Sequence, residues 1–171
     1  MDYESKIRVI EGFPHEGISF KDISPLLADK DAFKAAVSDM AAQVKEWGAD
    51  VVIGPESRGF VLGAPVALAA GKGFVMARKA GKLPGETIKK SYTLEYGTAT
   101  IELPKFAIKK GTKVVLVDDL MATGGTLEAL VEVCREEGAE VVGVIALIEL
   151  TDLKGVEKID APFRSFIKYP H

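Results

Sequence analysis

The sequence is poor in the residues that build disulfide frameworks and protein-held metal centres. Its 171 residues include one cysteine, Cys134, and two histidines, His15 and His171. One thiol cannot form an internal disulfide or a multi-cysteine zinc site. We therefore expect a reducing, cytoplasmic setting. We also expect Cys134 to be a core residue and neither histidine to be a catalyst or a metal ligand.

Long apolar runs and a large excess of one charge are also missing. The most apolar stretch, residues 60–70, contains Pro65 and is shorter than a membrane-spanning helix requires. There are 22 basic and 25 acidic residues, so the formal net charge is -3. This balance argues against binding nucleic acid through a general basic field. The length and a hydrophobic content of 47% predict one globular domain spanning residues 1–171.

Helical periodicity and short apolar runs alternate through the middle of the chain. Helices are predicted at residues 31–47, 57–70 and 126–137. Strands are predicted at residues 51–53, 74–77, 114–117 and 141–150, and a hairpin around Gly97 at residues 92–103. This order predicts an α/β fold with a mainly parallel sheet flanked by helices. The segments before residue 31 and after residue 151 are expected to be irregular pieces that either pack together or cover one edge.

The strongest functional signal follows the predicted strand 114–117. Asp118 and Asp119 come first, and a run of small residues then opens a helix, where backbone amides can surround a phosphate. This run consists of Ala122, Thr123, Gly124, Gly125 and Thr126. It has no Gly-Lys-Ser/Thr ending, so it is not a P-loop. A ribose 5-phosphate fits, with the phosphate on the amides and the hydroxyls on the carboxylates. The alternative is a helix-capping loop beside two solvated aspartates.

A basic segment at residues 78–90 breaks the α/β pattern. It contains Arg78, Lys79 and Lys82, together with glycine and proline and almost no apolar residues. The pattern predicts an exposed loop. Charge alone favours a solvated run, and a mobile lid is the alternative. Glu56 is either a surface residue or a carboxylate that orients the nearby Arg58.

The stretch VVLVDDLMATGGT at residues 114–126 resembles the phosphoribosyl-pyrophosphate motif of the type I phosphoribosyltransferases. Five further stretches resemble the members of that family that act on adenine. They are GFPHEGISFKDISPLL (12–27), GPESRGF (54–60), ARKAGKLPGET (77–87), SYTLEYG (91–97) and LIELTDLKGVEK (147–158). Together they cover nearly the whole chain in order, which is far more specific than any one match.

The resemblance implies a purine salvage reaction. Adenine and 5-phosphoribosyl 1-pyrophosphate (PRPP) would give AMP and pyrophosphate through an oxocarbenium-like transition state, with Mg²⁺ carried by PRPP near Asp118 and Asp119 and no direct metal site in the protein. It also implies a homodimer, a base-binding hood at residues 1–30 and a flexible loop at residues 78–91. No nucleic acid or membrane partner is expected.

The resemblance also implies roles for individual residues. Pyrophosphate would be bound by Ser57, Arg58, Arg78, Lys79 and Lys82, with Arg58 also taking part in catalysis. Adenine would be recognised largely through the backbone at Ser19, Phe20 and Lys21, with Phe20 stacking on the ring. The 5-phosphate would lie on residues 122–126 and the ribose on Asp118 and Asp119.

Proton transfer to the base needs a separate group in this sequence. Family members that use 6-oxopurines carry an aspartate where Ala122 stands, and a methyl group cannot exchange a proton. By resemblance, Glu95 approaches N7 of the base as a catalytic acid or base. The alternative for Glu95 is an exposed strand carboxylate, and Tyr96 is either a core or a lid aromatic.

Two alternative functions follow from the same fold. One is an enzyme for another purine, hypoxanthine or xanthine. The other is a regulatory protein that senses PRPP and binds DNA. A regulator would need an added DNA-binding domain, whereas a single domain accounts for this whole sequence. Its net charge of -3 gives no help in binding DNA either.

Overall fold

The computed structural model describes residues 2–94 and 96–170. A hairpin near the start pairs Arg8–Glu11 (β1) with Ser19–Asp22 (β2) in antiparallel register. The main sheet contains Val51–Pro55 (β3), Gly73–Lys79 (β4), Thr87–Leu94 (β5), Gly97–Pro104 (β6), Lys113–Met121 (β7), Glu140–Leu150 (β8) and Phe163–Tyr169 (β9). The helices are Ser24–Ala28 (α1), Lys30–Glu46 (α2), Arg58–Ala70 (α3) and Gly125–Glu136 (α4). Within the described ranges, no helix is long and apolar enough to cross a membrane.

The described strands of the main sheet follow the order β5-β6-β4-β3-β7-β8-β9. β3 pairs in parallel with both β4 and β7, and parallel pairing continues from β7 through β8 to β9. At the other edge, β6 is antiparallel to both β4 and β5. The predicted α/β architecture, with a mainly parallel sheet flanked by helices, is therefore confirmed.

Helices cover both faces of the central strands, which explains why those strands are continuously apolar. Residues 114–117 of β7 are fully buried. On one face, α2 and α3 contribute Met40, Val44 and Leu62 to a shared core. On the other face, α4 contributes residues that include Leu130. Cys134, also on α4, is buried as predicted, and its burial raises the thiol pKa to about 12.

The chain leaves two adjacent strands in opposite directions. After β3 it enters α3 on one face of the sheet, and after β7 it enters α4 on the other. In open α/β sheets, a crevice forms where neighbouring connections diverge, at the carboxyl ends of the strands. The crevice between β3 and β7 is therefore the place where this fold accommodates a ligand.

Small residues bring the start of α3 very close to that crevice. A Cβ atom on Gly54 would lie 2.5 Å from the carbonyl oxygen of Gly59. A Cβ on Gly59 would lie 2.7 Å from Pro55 Cδ and 3.2 Å from Asp118 Oδ1. Because neither position carries a side chain, the first turn of α3 packs directly against the ends of β3 and β7.

Most helix boundaries agree with the sequence pattern to within one residue. Asp29 caps α2, because its side chain accepts hydrogen bonds from the N–H groups of Asp31 and Ala32. Gly71, in the left-handed region at φ 72°, ends α3. Trp47 packs at the end of α2, where a Cβ on Gly143 would lie 2.2 Å from its ring.

The structure corrects three expectations. β7 runs on to Met121, so Asp118 and Asp119 lie within the strand, because their backbone continues to pair with β8. Neither terminal segment is wholly irregular, since β1, β2 and α1 precede residue 31 and β9 follows residue 151. The irregular part of the basic segment is only residues 80–86, because β4 continues through Lys79 and β5 begins at Thr87.

Candidate active site

Three cavities lie in a row along the crevice. The first, here called the hairpin cavity, has a volume of about 500 Å³ and lies between the β1–β2 hairpin and Arg58. The second, the charged cavity, has a volume of about 310 Å³ and is lined by Glu56, Arg58 and the Asp118–Asp119 pair. The third, the turn cavity, has a volume of about 160 Å³ and is lined by residues 122–127 with Tyr92 and Leu94. Arg58 borders the first two cavities, and Asp118 borders the last two.

The turn cavity is formed by the tight connection from β7 to α4. Gly124 has φ 83°, in the left-handed region that favours glycine, and it caps α4. The first N–H of α4 to bond within the helix is that of Glu128, which donates to the Gly124 carbonyl at 2.8 Å. The N–H groups of the preceding helical residues have no partner within the helix, which makes this end suited to an anion.

The turn rests directly on a neighbouring segment of backbone. A Cβ on Gly155 would lie 2.2 Å from the carbonyl oxygen of Ala122. In the opposite direction, a Cβ on Gly124 would lie 2.8 Å from the Gly155 carbonyl oxygen. The two backbones therefore fix each other's position. The segment around Gly155 therefore supports the turn. It lies in the stretch 147–158, which resembles the family but had no predicted role.

Two side chains of opposite charge meet in the charged cavity. Arg58 Nε donates to Asp119 Oδ2 at 2.5 Å, with the arginine side chain half exposed and the aspartate buried. Asp118 Oδ1 accepts the N–H of Asp119 at 2.8 Å. Loss of hydration raises the pKa of Asp118 above the ordinary aspartate value, and the adjacent Asp119 carboxylate raises it further. The cavity thus presents buried carboxylates beside a guanidinium that still has free donors.

Glu56 gathers the basic residues at the end of β4. Its carboxylate accepts the Lys79 N–H at 2.8 Å, the Lys82 Nζ at 3.0 Å and the Arg78 Nε at 3.3 Å. These contacts, chiefly the Lys79 N–H, lower the pKa of Glu56 to about 2. Glu56 is therefore not a surface residue, and its partners are these three residues rather than Arg58.

The hairpin cavity combines aromatic and charged walls. Phe20 packs edge-on against Phe13, with ring centroids 5.2 Å apart, and the Arg58 guanidinium lies 5.7 Å from the Phe20 centroid. Lys21 also lines this cavity and donates to Ser19 Oγ at 2.7 Å. Ser19 in turn donates to Glu11. The two residues of the predicted base-binding strand that line the cavity are therefore Phe20 and Lys21.

The Asp22 carboxylate stabilises the end of the hairpin strand. It accepts the backbone N–H of Ser24 at 2.9 Å and a hydrogen bond from Arg8 Nη2 at 2.7 Å. Hydrogen bonds from Ser24, followed by those from Arg8, lower the pKa of Asp22 to about 2. One wall of the hairpin cavity is therefore an ion pair between Arg8 on β1 and Asp22 on β2.

The structure brings most of the predicted site residues together, with two exceptions. Ser57, Arg58, Lys79, Asp118 and Asp119 line one cavity, and residues 122–126 line the next. Arg78 and Lys82 reach this region through Glu56. Ser19 stands beside the hairpin cavity rather than among its lining residues. Glu95 lies outside the described residues.

Three residues of the site had no assigned role or the wrong one in the sequence analysis. Tyr92 and Gly155 lie in stretches that resemble the family, but neither residue type indicates a partner so distant in sequence. The Tyr92 hydroxyl lies 2.8 Å from Thr126 Oγ1, across the turn cavity. Glu56 was predicted to be either a surface residue or a partner of its neighbour Arg58. Only the fold shows these contacts.

Comparisons with known proteins agree with this geometry. A family model described as a phosphoribosyl transferase domain matches residues 26–169. The adenine phosphoribosyltransferase of Clostridium novyi is 57% identical over 159 residues, covering 93% of this chain and 92% of the relative. That of Clostridium kluyveri is 52% identical over 170 residues, covering 99% of both chains.

Solved structures extend the agreement to three dimensions. The adenine phosphoribosyltransferase of Thermoanaerobacter pseudethanolicus has a TM-score of 0.93 at 44% identity, over 98% of both chains. The Giardia lamblia enzyme complexed with 9-deazaadenine has a TM-score of 0.89 at 40% identity, over 99% of this chain and 97% of that chain. The chain therefore belongs to the phosphoribosyl transferase family, within the group of adenine phosphoribosyltransferases.

Proposed function

We propose that this protein transfers the 5-phosphoribosyl group of PRPP to adenine, giving AMP and pyrophosphate in purine salvage. The observation that carries the proposal is the row of three joined cavities. An aromatic cavity suits a flat base, a charged cavity suits a ribose and its leaving group, and an amide-lined turn suits a terminal phosphate. PRPP and adenine together present these chemical features in that order.

The turn and the strand before it are proposed to hold the ribose phosphate. The phosphate lies against Thr123, Gly124, Gly125 and Thr126, with Ala122 supplying the bend into the turn. Asp118 and Asp119 accept hydrogen bonds from the ribose hydroxyls. Asp119 makes this contact from its ion pair with Arg58, so the same pair links the sugar to the leaving-group cavity.

Arg58 is proposed as the main cation acting on the departing pyrophosphate. It lines the cavities proposed for the base and for the leaving group, and one of its five donors is committed to Asp119. Negative charge grows on pyrophosphate as the glycosidic bond breaks, and a fixed guanidinium stabilises that charge most in the transition state. Ser57, Lys79, Arg78 and Lys82 complete the pyrophosphate-binding surface.

The adenine ring is proposed to bind in the hairpin cavity, against Phe20. The backbone at Ser19 and Lys21 pairs with the edge of the ring, so the hairpin acts as the hood over the base. Glu95, by resemblance, exchanges a proton with N7. Its neighbours Leu94 and Gly97 pair across the β5–β6 hairpin, whose strand β5 borders the turn cavity.

Magnesium is proposed to enter together with PRPP. Among the residues described, no group of three histidine, cysteine, aspartate or glutamate side chains is arranged to hold a metal. Of the three carboxylates that line the charged cavity, Glu56 is already bonded to Arg78, Lys79 and Lys82. Asp118 and Asp119 remain, and Mg²⁺ is commonly held by one or two carboxylates with substrate phosphates. When bound, the ion would neutralise charge on the leaving pyrophosphate.

A homodimer is proposed through an apolar groove between the first half of β4, the loop that follows β4 and the segment that follows β6. The groove has a volume of about 250 Å³ and is lined by Phe74, Met76, Leu83, Pro84 and Phe106, among others. Met76 is 45% exposed and Phe106 is 78% exposed. Exposed apolar side chains clustered in one groove are typical of a surface that a partner covers.

A panel of purine bases tests the proposed reaction directly. Purified protein with PRPP and magnesium is expected to convert adenine to AMP and pyrophosphate. Hypoxanthine, guanine and xanthine are expected to react at least about 100-fold more slowly, because a site that pairs with the amino group leaves buried groups unpaired with the wrong base. Equal turnover of hypoxanthine would contradict the assignment of adenine. PRPP binding without pyrophosphate release from any base would instead favour the regulatory alternative.

A further inference from the structure

The hydroxyl groups of Tyr92 and Thr126 form a contact, and Tyr92 has no role in the proposed reaction as described above. Tyr92 Oη and Thr126 Oγ1 are 2.8 Å apart, although the residues are 34 positions apart in sequence. Tyr92 lies on β5 and Thr126 in the first turn of α4, and both line the turn cavity. Both side chains are partly buried. The contact therefore joins β5 to the start of α4 at the turn cavity.

The position of Tyr92 is fixed by further contacts between β5 and α4. A Cβ on Gly125 would lie 3.6 Å from Tyr92 Cδ2, so the ring already stands at van der Waals distance from the start of the helix. Two residues earlier on β5, Lys90 Nζ pairs with Glu136 and, at 3.5 Å, with Glu132 on the same helix. Tyr92 is thus held on a strand that is tied to α4 at two places.

A bound phosphate would settle which hydroxyl donates in this pair. In the absence of a ligand, either oxygen could be the donor. A phosphate dianion has only acceptor oxygens, so Thr126 must donate its single proton to the phosphate in order to bind it. The Thr126 oxygen can then only accept, and Tyr92 must be the group that donates to it. The order of donation becomes Tyr92 to Thr126 to phosphate.

We propose that Tyr92 is a positioning residue that aims the Thr126 hydroxyl proton at the 5-phosphate of PRPP and AMP. The inference rests on the proposed function, which places that phosphate in the turn cavity. Tyr92 fixes the side-chain rotamer of Thr126 and occupies its acceptor site, which leaves the proton free for the ligand. Hydrogen bonds arranged in such a chain also polarise and strengthen one another.

A double-mutant cycle tests the proposal. Tyr92→Phe removes only the hydroxyl group, and Thr126→Val replaces the threonine hydroxyl with a methyl group. Tyr92→Phe is expected to raise the KM for PRPP and the Kd for AMP by about three- to tenfold, the worth of one net hydrogen bond. The kcat and the KM for adenine should change by less than about twofold, because the contact exists in both the ground state and the transition state. Thr126→Val should weaken both ligands at least as much.

The double variant separates the positioning role from a merely structural one. If Tyr92 acts through Thr126, Tyr92→Phe should add nothing to the weakening that Thr126→Val already causes. Equal weakening by Tyr92→Phe in both backgrounds would overturn the proposal. An unchanged AMP affinity in Tyr92→Phe would overturn it too. If Thr126→Val also left AMP affinity unchanged, the phosphate site itself would be misplaced, which is a failure of the proposed function rather than of Tyr92 alone.

Tyr3→Phe supplies the matched control. The Tyr3 hydroxyl donates to Asp39 Oδ2 at 3.0 Å, on the α2 side of the molecule and away from the three cavities. Its loss is expected to lower the thermal midpoint without changing the KM for PRPP. A loss of stability alone would therefore not imitate the expected result for Tyr92→Phe. Thermal unfolding of all variants, together with calorimetric AMP binding, completes the comparison.

Discussion

Glu56 illustrates how a single carboxylate organises several cations. Its side chain is only 10% exposed, and it holds the Lys79 backbone together with the Arg78 and Lys82 side chains. The Arg78 and Lys82 side chains would otherwise repel each other at the edge of the charged cavity. The proposed pyrophosphate-binding surface therefore exists before any ligand arrives, and Glu56 is the residue that assembles it.

The first prediction concerns the acid dependence of stability at Glu56. Its pKa is lowered from the usual 4.5 to about 2, so the stabilisation should be complete above pH 4.5 and should fade as the pH drops towards 2. Glu56→Gln is expected to lower the free energy of unfolding at pH 7 by about 1.5–3 kcal/mol, the range for hydrogen bonds to a charged group. The difference in the free energy of unfolding between the parent protein and Glu56→Gln should become smaller between pH 4.5 and pH 3.

Urea unfolding at pH 7, 5 and 3 measures that gap. Glu86→Gln serves as the control, because the Glu86 side chain is 83% exposed and its lysine partner lies 3.6 Å away. Exposed pairs of this kind contribute little, so this control should match the parent protein at every pH. A gap for Glu56→Gln that stays constant down to pH 3 would contradict the prediction.

Single residues differ in how much of their role the sequence discloses. Gly124 could be predicted, since a glycine pair between a buried strand and a helix has few uses besides a tight turn. Asp29 could be predicted because capping depends on neighbours two and three positions away. Glu56 could not, because its partners lie 22 to 26 positions along the chain and only the pairing of β3 with β4 brings them close.

At the scale of elements, the β7–α4 turn and the short helical segment beneath it form one unit. The segment Gly155–Lys158 packs closely under the turn. The Ala122 carbonyl oxygen leaves no room for a side chain at Gly155. The turn would otherwise be free to bend away when a phosphate arrives. The precision of the proposed phosphate site therefore depends on a segment that follows β8, and its first residue, Gly155, lies 30 positions after Gly125.

The second prediction uses this backbone contact. In Gly155→Ala, the new methyl group would lie 2.2 Å from the Ala122 carbonyl oxygen, so the turn must shift. We expect the free energy of unfolding to fall by about 1–3 kcal/mol, as in other overpacked sites. We expect AMP affinity, measured by calorimetry, to fall at least about tenfold, since misplacement of a binding group by an ångström is costly.

A glycine-to-alanine change on β4, away from the turn, controls for the added methyl group. A Cβ on Gly73 would have its nearest neighbour, Val51 Cγ2, at 3.9 Å, which is an ordinary contact. Gly73→Ala should therefore leave AMP affinity unchanged. If Gly155→Ala also bound AMP with the parent affinity, the turn would not depend on this support.

Elements also differ in how well the sequence predicts them. The central strands were predictable because both of their faces are buried, which requires an uninterrupted apolar run. β9 was not, since Ile167 is its one buried residue and the segment also carries the exposed Arg164 and Lys168. The continuation of β7 through Asp118 and Asp119 was missed because acidic residues disfavour strands, and here pairing with β8 outweighs that preference.

On the scale of the whole molecule, the exposed apolar groove sets the third prediction. The protein is expected to sediment as a dimer at micromolar concentration, and Met76→Asp is expected to give a monomer, because a charge would be buried without a partner. Val9→Asp is a matched control, since Val9 and Met76 are each 45% exposed and only Met76 lines the groove. Analytical ultracentrifugation distinguishes the two states. A dimer that survives Met76→Asp would place the interface elsewhere.

The β1–β2 hairpin contributes no strand to the main sheet within the described ranges. The hairpin wall that faces the proposed base is thus carried by a module apart from the β7–α4 turn, which is the proposed phosphate site. Substitutions in that module can accumulate without altering the register of the seven central strands. The preference for one nucleobase over another can therefore change during evolution, while the proposed PRPP-binding residues on the main sheet stay the same.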